Sequence, residues 1–419
     1  MPETPNPLID LFAGCGGLSL GLERAGYTPV VVNELHPNAM STYLMNRSGL
    51  GLDAPGNNFN DILDLTQSPA ELKALAARLK REHGEVALVA GGPPCQGYSG
   101  IGHRRSFDIT KEQIPSNHLY REMASLIQAV APRAFLFENV KGLLTAKWTP
   151  DGSKGEIWSD VRATFDAVTV KVGRKTVSYR TGWALVLAKE YGVPQNRPRV
   201  LLVGVREDID VNLASGFPAG GLLPAATGGA PDPIDLLGDL VDPDWTPGAT
   251  TTRYPSAART AVQKALRTSP ADGRVAQKGA PVTEHEYSNH SAKVIEKFAH
   301  MLRTGGEIPE AMRTKKFAQR VIPEHWGPTG PNITATSLAD DYVHFSQPRV
   351  PTVREWARLQ TFPDWYQFAG RRTTGGRRRA GDPSKGDWSR DLPKYTQIGN
   401  AVPVALAEAV GRHLLGLVG

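Results

Sequence analysis

Residues 8–205 alternate short apolar runs, partly β-branched, with segments in which apolar residues recur at a helical period. Strands and helices that alternate in this way build a mostly parallel sheet with helices on both faces. We therefore predict an α/β fold with a doubly wound sheet. The predicted strands are Leu8–Phe12, Val30–Glu34, Val86–Ala90, Ala134–Glu138 and Val200–Val205, and the predicted helices are Leu18–Ala25, Ser68–His83 and Leu119–Ala131.

The character of the sequence changes after Arg206. Residues 212–250 are rich in Gly, Pro, Ala and Asp, and residues 250–345 hold short helical pieces, such as Ser291–Arg303, among polar loops. The last segment, Val402–Val418, regains an apolar helical period, so we expect it to pack back on the first domain. The predicted division is one domain of residues 1–206 plus about 395–419, and a second, smaller and irregular domain of about 207–394.

Composition predicts a globular protein of a reducing compartment. The chain has 419 residues, of which 40% are hydrophobic and 21% charged, so it can bury a core. No stretch approaches the ~20 apolar residues of a membrane span, and the N-terminus does not resemble a secretory signal. Two cysteines, with no pairs at metal-binding spacing, predict neither a disulfide framework nor a bound metal. The net charge of +6 is compatible with a polyanionic partner.

Cys95 stands just after the third predicted strand, on a loop stiffened by Pro93 and Pro94. Loops at the carboxyl ends of strands are where open α/β sheets place ligands and chemistry. A thiol in this place is typical of a nucleophile, although a free cysteine is more often a small buried hydrophobe. We assign no chemistry to Cys15, the other cysteine.

A glycine-rich turn, Phe12 to Gly17, joins the first predicted strand to the helix after it. Glycines let the backbone approach a ligand, and the helix N-terminus offers N–H groups. Glu34 ends the second strand, a position suited to ribose hydroxyls. The pattern indicates a nucleoside-bearing cofactor, with a plain tight turn as the alternative. Asp61 is suited either to approach an adenine ring or to cap a helix.

Glu138 closes the fourth predicted strand, where a carboxylate could protonate or hydrogen-bond a substrate heteroatom. Arg197 and Arg199 precede the fifth strand; on an extended segment, residues two apart point to one face and could grip a phosphate and a ring oxygen. The alternatives are a salt-bridged or solvated glutamate and an edge-strand pair of arginines facing water. Residues 370–379, GRRTTGGRRR, are predicted to contact phosphates, or to be a solvated loop or a disordered insert.

Taken together, these motifs resemble those of the bacterial-type DNA (cytosine-5) methyltransferase family. The segments that carry the resemblance occur in the family's order. They are DLFAGCGGLSLGLERAGY (10–27), VVNEL (31–35), GGPPCQGYSGIG (91–102), FLFENVKGLL (135–144), YGVPQNRPRVLLVGVR (191–206), RVPTVREWARLQTFPDWYQF (349–368) and QIGNAVPVALAEAV (397–410).

The resemblance implies an S-adenosylmethionine-dependent methyltransferase fold for the first domain and a target-recognition, DNA-binding role for the second. Residues 207 to about 345 would hold the family's variable target-recognition region. It implies that Cys95 attacks carbon 6 of a flipped-out cytosine, that Glu138 holds the ring at N3, and that Arg199, supported by Arg197, contacts the ring oxygen or the backbone phosphate. Gln195 is expected to order its loop. The implied cofactor residues are Phe12, Gly14, Gly16, Gly17, Glu34, Asp61, Pro94 and Asn400, and the expected DNA contacts are Gln96, Ser99, Arg104, Arg105, Arg371, Arg372, Arg377, Arg378 and Arg379.

The resemblance also implies a cytoplasmic protein of a prokaryote that acts on double-stranded DNA. It would work in one system with a restriction endonuclease, without forming a stable complex, and without a membrane or a metal. Three alternatives remain at this point. They are an RNA cytosine-5 methyltransferase of the same fold, a catalytically silent DNA-binding module, and a thiol enzyme with another cofactor. Residues 146–180 have no assigned role.

Overall fold

The computed structural model describes residues 5–94, 115–313, 319–325, 330–333, 341–373 and 391–419. The chain divides into two compact units. The first comprises Met1–Leu187, Pro198–Thr227 and Leu406–Gly419, and the second comprises Ala188–Arg197 and Gly228–Ala405.

An eight-stranded sheet organises the first unit. Its strand order is β3-β2-β1-β4-β5-β8-β7-β6; the pairs among β1 to β5 are parallel, whereas β8, β7 and β6 join by antiparallel pairs. The strands are β1 Pro7–Leu11, β2 Thr28–Asn33, β3 Asn58–Phe59, β4 Leu88–Gly91, β5 Ala134–Val140, β6 Thr169–Val172, β7 Lys175–Leu187 and β8 Pro198–Arg206.

Helices cover both faces of this sheet, because alternate strand residues point to opposite sides and both sets are apolar. On one face Ile9, Val89 and Phe135 pack in a cluster with side chains of the helices α4, α5 and α6. On the other face Val32 packs with side chains of α2. The helices of the first unit are α1 Gly17–Ala25, α2 Pro37–Met45, α3 Ile62–Thr66, α4 Pro69–His83, α5 Tyr120–Val130, α6 Glu156–Asp166 and, at the end of the chain, α12 Val404–Val418, which begins in the second unit.

The predicted doubly wound, mostly parallel α/β sheet is confirmed. The predicted strands and helices lie within about two residues of the observed ones, the usual uncertainty at element ends. As expected, the last helix returns to the first unit: Gly411 lies against Leu22 and Ala25 of α1. The sequence did not predict α6 or the hairpin of β6 and β7, which together account for much of segment 146–180; the hairpin places β7 and β6 beyond β8 at one side of the sheet.

The boundaries of the two units differ from the predicted domains. Residues 188–197 and 395–405 belong to the second unit, because side chains such as Gln195 form hydrogen bonds inside it. Residues 207–227 remain with the first unit. The roles assigned to the two domains stay predictions.

The second unit contains short helices, a two-stranded parallel sheet and long irregular segments. Its helices and strands are α7 Pro233–Leu237, α8 Ala261–Arg267, α9 Ala292–Arg303, α10 Val353–Leu359, α11 Lys394–Asn400, β9 Arg320–Val321 and β10 Tyr342–Val343. Short 3₁₀ turns occur in both units at Pro115–His118, Lys141–Thr145, Ala188–Tyr191, Pro218–Gly221, Gly238–Leu240 and Glu310–Met312.

Buried ion pairs form part of the interior of the second unit, beside its buried apolar side chains. The guanidinium of Arg358, fully buried on α10, contacts the carboxylates of Asp239 at 2.5 Å and Asp364 at 2.6 Å. Arg267 pairs with the same Asp239 and lies over the ring of Tyr254. Because these charges are paired and hydrogen-bonded, the unit buries them without leaving an isolated charge. The paired arginine holds the pKa of Asp364 below its usual range, against the opposing effect of burial.

One segment of the described residues, Lys394–Val418, is long and apolar enough to cross a membrane by length and composition alone. It is in fact two helices, α11 and α12, and 56% of its most apolar window is buried inside the structure. Core helices of soluble proteins pass the same test, so this segment is weak evidence for a span.

Gly204 on β8 tests how tightly the sheet is packed. It pairs with Phe135 of β5, and a Cβ at this position would overlap the Phe135 ring. We expect Gly204→Ala to lower the free energy of unfolding by about 2 kcal/mol, because overpacking displaces the ring. Gly416→Ala, exposed near the end of α12 with open space around its Cβ, should be neutral or slightly stabilising. Urea denaturation of both variants checks this; equal stabilities would contradict it.

Candidate active site

The chemistry-bearing segments of the first unit lie at one edge of the sheet. Strands β1, β2, β4 and β5 are parallel, so their carboxyl ends share that edge. Strand β8 is antiparallel to β5, so it contributes its amino end there. This is the edge at which open α/β sheets bind their ligands.

The turn after β1 holds three residues in the left-handed region of backbone space. They are Phe12 at φ +55°, Gly14 at φ +57° and Gly16 at φ +83°. Glycine adopts this conformation without strain, whereas Phe12 stores some, as residues at functional sites often do. Gly16 is the N-cap of α1, and as a glycine it has no side chain that could cover the N–H groups of the first helical turn.

Glu34 fastens the turn to the end of β2. One oxygen of its carboxylate accepts the Gly14 N–H at 2.8 Å, and the other accepts the His36 N–H at 2.8 Å. Burial raises the pKa of Glu34, while the two N–H donors act to lower it. The glycine turn and Glu34, both predicted to belong to one cofactor site, are therefore in direct contact.

Asn33 is a residue of this site that the sequence did not reveal. Its side-chain oxygen accepts the Phe12 N–H at 3.3 Å, and its amide group donates to the carbonyls of Phe59 and Asn60 at 3.0 and 2.9 Å. It thereby joins the turn after β1 to the segment that leads to Asp61. The signal available in the sequence was a side-chain amide directly before Glu34, the acidic residue at the strand end.

Asp61 is partly buried at the N-terminus of α3. Its carboxylate accepts the Leu63 N–H at 3.0 Å, which is the helix-capping alternative named for it above. A cap uses only part of the capacity of a carboxylate, so contact with a cofactor stays a prediction.

Glu138 and Arg199 form a close pair at the carboxyl end of β5. Arg199 Nε lies 2.6 Å from Glu138 Oε1, and both side chains are about nine-tenths buried. A Cβ on Gly92 would lie 2.9 Å from Glu138 Oε2, so the carboxylate packs against the backbone of the loop after β4. Carboxylate and guanidinium thus meet beside the segment that leads to Cys95.

Asn139 holds that loop in place. Its amide donates to the Pro93 carbonyl at 3.1 Å, and the Asn139 side chain is buried. Pro94 follows, partly buried, as the last described residue before the gap. The proposed nucleophile Cys95 and the predicted DNA contacts Gln96, Ser99, Arg104, Arg105, Arg377, Arg378 and Arg379 lie outside the described residues.

Arg197 and Arg199 do not share partners. The buried guanidinium of Arg197 donates, within the second unit, to the carbonyls of Ile333, Gly399 and Ala401. The same unit uses Gln195 as expected, to order its loop: its amide contacts Leu359 and Gln360. Gly399 and Ala401 flank Asn400, which is exposed at the end of α11.

Two of the arginines predicted to contact DNA are described, and both belong to the second unit. Arg371 is exposed. Arg372 is partly buried; its guanidinium lies 3.4 Å from the Glu286 carboxylate and donates to Ser288 Oγ at 3.2 Å. Their contact with DNA stays a prediction.

Asp10, at the end of β1, is a buried acid directly before the glycine turn. Neither of its carboxylate oxygens has a hydrogen bond of good geometry, although the hydroxyls of Ser19 and Tyr43 lie near it. Burial raises the pKa of Asp10 to about 7, against opposing effects of Arg47 and the two hydroxyls. Burial also raises the pKa of the Cys15 thiol, to about 12, which favours its protonated form.

Among the described residues, no group of three or more His, Cys, Asp or Glu side chains could hold a metal ion.

Comparison with known proteins identifies relatives along nearly the whole chain. The sequence profile of the family described as C-5 cytosine-specific DNA methylase matches residues 7–416. The chain is 30% identical over 427 residues to the Type II methyltransferase M.PspPI of a Psychrobacter species, covering 100% of this chain and 80% of that protein. It is 29% identical over 422 residues to the Type II methyltransferase M.DdeI of Desulfomicrobium norvegicum, covering 97% and 88%.

The fold also matches a solved structure. A protein encoded within an Escherichia coli prophage, described as a DNA modification methyltransferase, superposes with a TM-score of 0.67 at 21% identity, covering 98% of this chain and 99% of that one. At this identity the likeness concerns the fold.

The buried carboxyl of Asp10 predicts a pH dependence of stability. Its folded pKa exceeds the unfolded value, so the folded state binds more protons and loses stability as pH rises through this interval. As pH rises from 5 to 8, we expect the free energy of unfolding of Asp10→Asn to rise by about 2.5 kcal/mol relative to that of the parent. Asp53→Asn, on an exposed loop, serves as the control for the substitution itself. Urea unfolding at several pH values measures both; parallel profiles for Asp10→Asn and the parent would refute it.

Proposed function

The chain belongs to the C-5 cytosine-specific DNA methylase family, and on that premise we propose how it performs the reaction. As a DNA (cytosine-5-)-methyltransferase it would take the methyl group from S-adenosylmethionine and transfer it to carbon 5 of a cytosine flipped out of a specific duplex sequence. The observation that carries the proposal is the Glu138–Arg199 pair, packed against the loop that leads to Cys95.

The first unit suits the methyl donor chemically. The N–H groups at the start of α1 can receive a carboxylate, and the Glu34 carboxylate suits ribose hydroxyls. Among the described residues, nothing lies within 4 Å of the position that a Cβ on Gly14 would take, so the turn leaves room for a ligand. We assign the donor to Phe12, Gly14, Gly16, Gly17, Glu34, Asp61, Pro94 and Asn400, the last two on their motifs alone. When bound, S-adenosylmethionine supplies an electrophilic methyl group.

The chain's own residues have to make carbon 5 reactive. Carbon 5 of cytosine is a poor nucleophile. When the Cys95 thiolate forms a bond to carbon 6, the ring double bond shifts its electrons toward carbon 5, which can then take up the methyl group. Loss of the proton on carbon 5 and breakage of the carbon–sulfur bond restore the ring and release the thiolate. A thiolate is the reactive form, so cationic groups near Cys95 favour the step.

Glu138 has the role of holding the ring nitrogen N3. A carboxyl that donates a proton there prevents negative charge from building up on the ring during attack. Arg199 orients that carboxyl through the 2.6 Å contact and offers further donors to the ring oxygen or to a phosphate. We assign Arg197 a supporting role, as the residue two positions before Arg199 in the chain.

The cytosine must leave the helix for this chemistry, because a stacked base cannot be approached from both faces at once. We assign phosphate and base contacts to Gln96, Ser99, Arg104, Arg105 and the arginines of residues 371–379, with the second unit reading the sequence. The named relatives are Type II methyltransferases. We therefore propose that this enzyme protects DNA in the cytoplasm of a bacterium, in a system with a restriction endonuclease that it does not bind stably.

The covalent step predicts the behaviour of Cys95→Ser. Turnover should be lost, because an alcohol is a far weaker nucleophile than a thiolate, while affinity for duplex DNA should persist. Tritium transfer from labelled S-adenosylmethionine and a gel-shift assay measure the two. In parallel, a duplex containing 5-fluorocytosine at the methylated site, which bisulfite sequencing would locate, should trap the parent enzyme, since fluorine cannot leave as a proton. Turnover by Cys95→Ser would disprove the mechanism.

Glu138→Gln, compared with the loss of another ion-paired carboxylate, tests whether Glu138 donates a proton as well as pairing with Arg199. We expect kcat to fall by about 100-fold or more, because an amide cannot supply the proton at N3. The control is Glu85→Gln, which removes a carboxylate 2.5 Å from Arg206 in the same unit. Its kcat should stay within about twofold of the parent, because Glu85 is half exposed and lies at the opposite end of the strands from Glu138. Steady-state methylation measures both variants, and an equal loss in the two would count against a chemical role for Glu138.

A further inference from the structure

Arg47, two residues beyond the end of α2, is a buried arginine to which no role in the reaction has been given above. It is 4% exposed. Its Nη2 donates to the carbonyl of Gly16 at 3.2 Å, and its Nη1 donates to the carbonyl of Tyr43 at 3.0 Å. Its Nε donates to Glu23 Oε1 at 2.7 Å, and the guanidinium lies 3.9 Å above the ring of Tyr43.

These contacts join two helix ends. Tyr43 belongs to the last turn of α2, whose carbonyls lack partners inside the helix, and a cation there is favourable. Gly16 is the N-cap of α1, and its carbonyl already accepts the first hydrogen bond of that helix, from Leu20. One planar guanidinium therefore sets the distance between the end of α2 and the start of α1, which a single point charge cannot do.

The glycine turn is consequently tied to α2 at both ends of that helix. At its start, His36 and Gly14 donate to the same carboxylate of Glu34. At its end, Arg47 holds Gly16. Gly14 and Gly16 are thus fixed by contacts at the two ends of α2. Loss of either contact would free the N–H groups at the start of α1 to change direction.

We infer that Arg47 is a positioning residue for the methyl donor: it touches no ligand itself, but it holds the Gly16 carbonyl and so keeps the glycine turn in its binding shape. This rests on the proposed assignment of S-adenosylmethionine to that turn. The consequence is a division of effects: losing Arg47 weakens donor binding while the chemistry at Cys95 and Glu138 continues.

Charge balance explains why the position needs a cation. Arg47 contacts the carboxylate of Glu23 at 2.6 Å and acts electrostatically on the carboxyl of the buried Asp10. Burial raises the pKa of both acids, and Arg47 acts to lower each of them. An uncharged residue at position 47 would leave these acids without their cation, which raises the cost of keeping them ionised.

The experiment compares full-length parent, Arg47→Met and Arg47→Lys with Arg206→Met as the matched control. Arg206 is equally buried in the same unit; it pairs with Asp208 at 2.7 Å and donates to the Ala131 carbonyl at 2.7 Å, away from the glycine turn. Calorimetry without DNA gives the affinity for S-adenosylhomocysteine. Hydrogen exchange of ligand-free protein reports on residues 12–20, and steady-state methylation of unmethylated genomic DNA gives kcat and both KM values.

We expect Arg47→Met to raise the dissociation constant about tenfold, since the turn loses a buried hydrogen-bond partner. Exchange at residues 12–20 should accelerate, kcat at saturating donor and KM for DNA should stay within about twofold, and Arg47→Lys should lie between. Arg206→Met should change none of these. Should Arg47→Met fail to fold, Arg47→Lys carries the test with the same expected direction.

Unchanged donor affinity in folded Arg47 variants would overturn the inference, as would an equal loss in Arg206→Met. A fall in kcat at saturating donor with donor affinity intact would also overturn it. If the parent binds neither S-adenosylmethionine nor S-adenosylhomocysteine, the proposed function fails, and the inference fails with it. Normal parent binding combined with unchanged variants overturns the inference alone.

Discussion

The hydrogen-bonded register of β5 is the constraint on which the candidate active site depends. This strand pairs in parallel with β4 and antiparallel with β8, and the register sets Phe137 opposite Gly91 and Val140 opposite Arg199. Side chains alternate across a strand, so a slip by one residue would turn Glu138 to the other face. Three segments far apart in the chain therefore meet only because the sheet aligns them, and the apolar residues of β5 on both faces keep it aligned.

Much of the first unit could be predicted from the sequence. Its strands are buried on both faces, so they appear as continuous apolar runs, and their ends carry glycine, proline and acidic residues that mark turns and ligand sites. The glycine turn, Glu34, Glu138 and Arg199 were singled out in this way, and their roles stay predictions. Asn33 and Asn139 were not assigned roles, because a side chain that holds a distant backbone carbonyl leaves no periodic pattern. The contacts of Arg47 were hidden for the same reason.

The second unit could not be predicted in comparable detail, and its interior explains why. Patterns of apolar residues assume that charges lie outside, yet Arg354, Glu355 and Arg358 are fully buried within seven-residue α10. Glu355 is paired with Arg349, and this pairing helps to hold the pKa of Glu355 well below its usual range, although burial acts in the opposite direction. A helix whose charged residues are as buried as its apolar ones has no amphipathic period to detect. Arg197, expected beside Arg199, is likewise engaged with backbone carbonyls.

The path of the chain between the two units has a consequence for engineering. The second unit is assembled from two insertions, residues 188–197 between β7 and β8 and residues 228–405 before the final helix. Gln195 and Arg197 of the short insertion supply interior hydrogen bonds to the long one. A chimaera that grafts the second unit of one enzyme onto the first unit of another should therefore exchange this decapeptide as well. A transplant of the long insertion alone would import an interior with its polar groups unmatched.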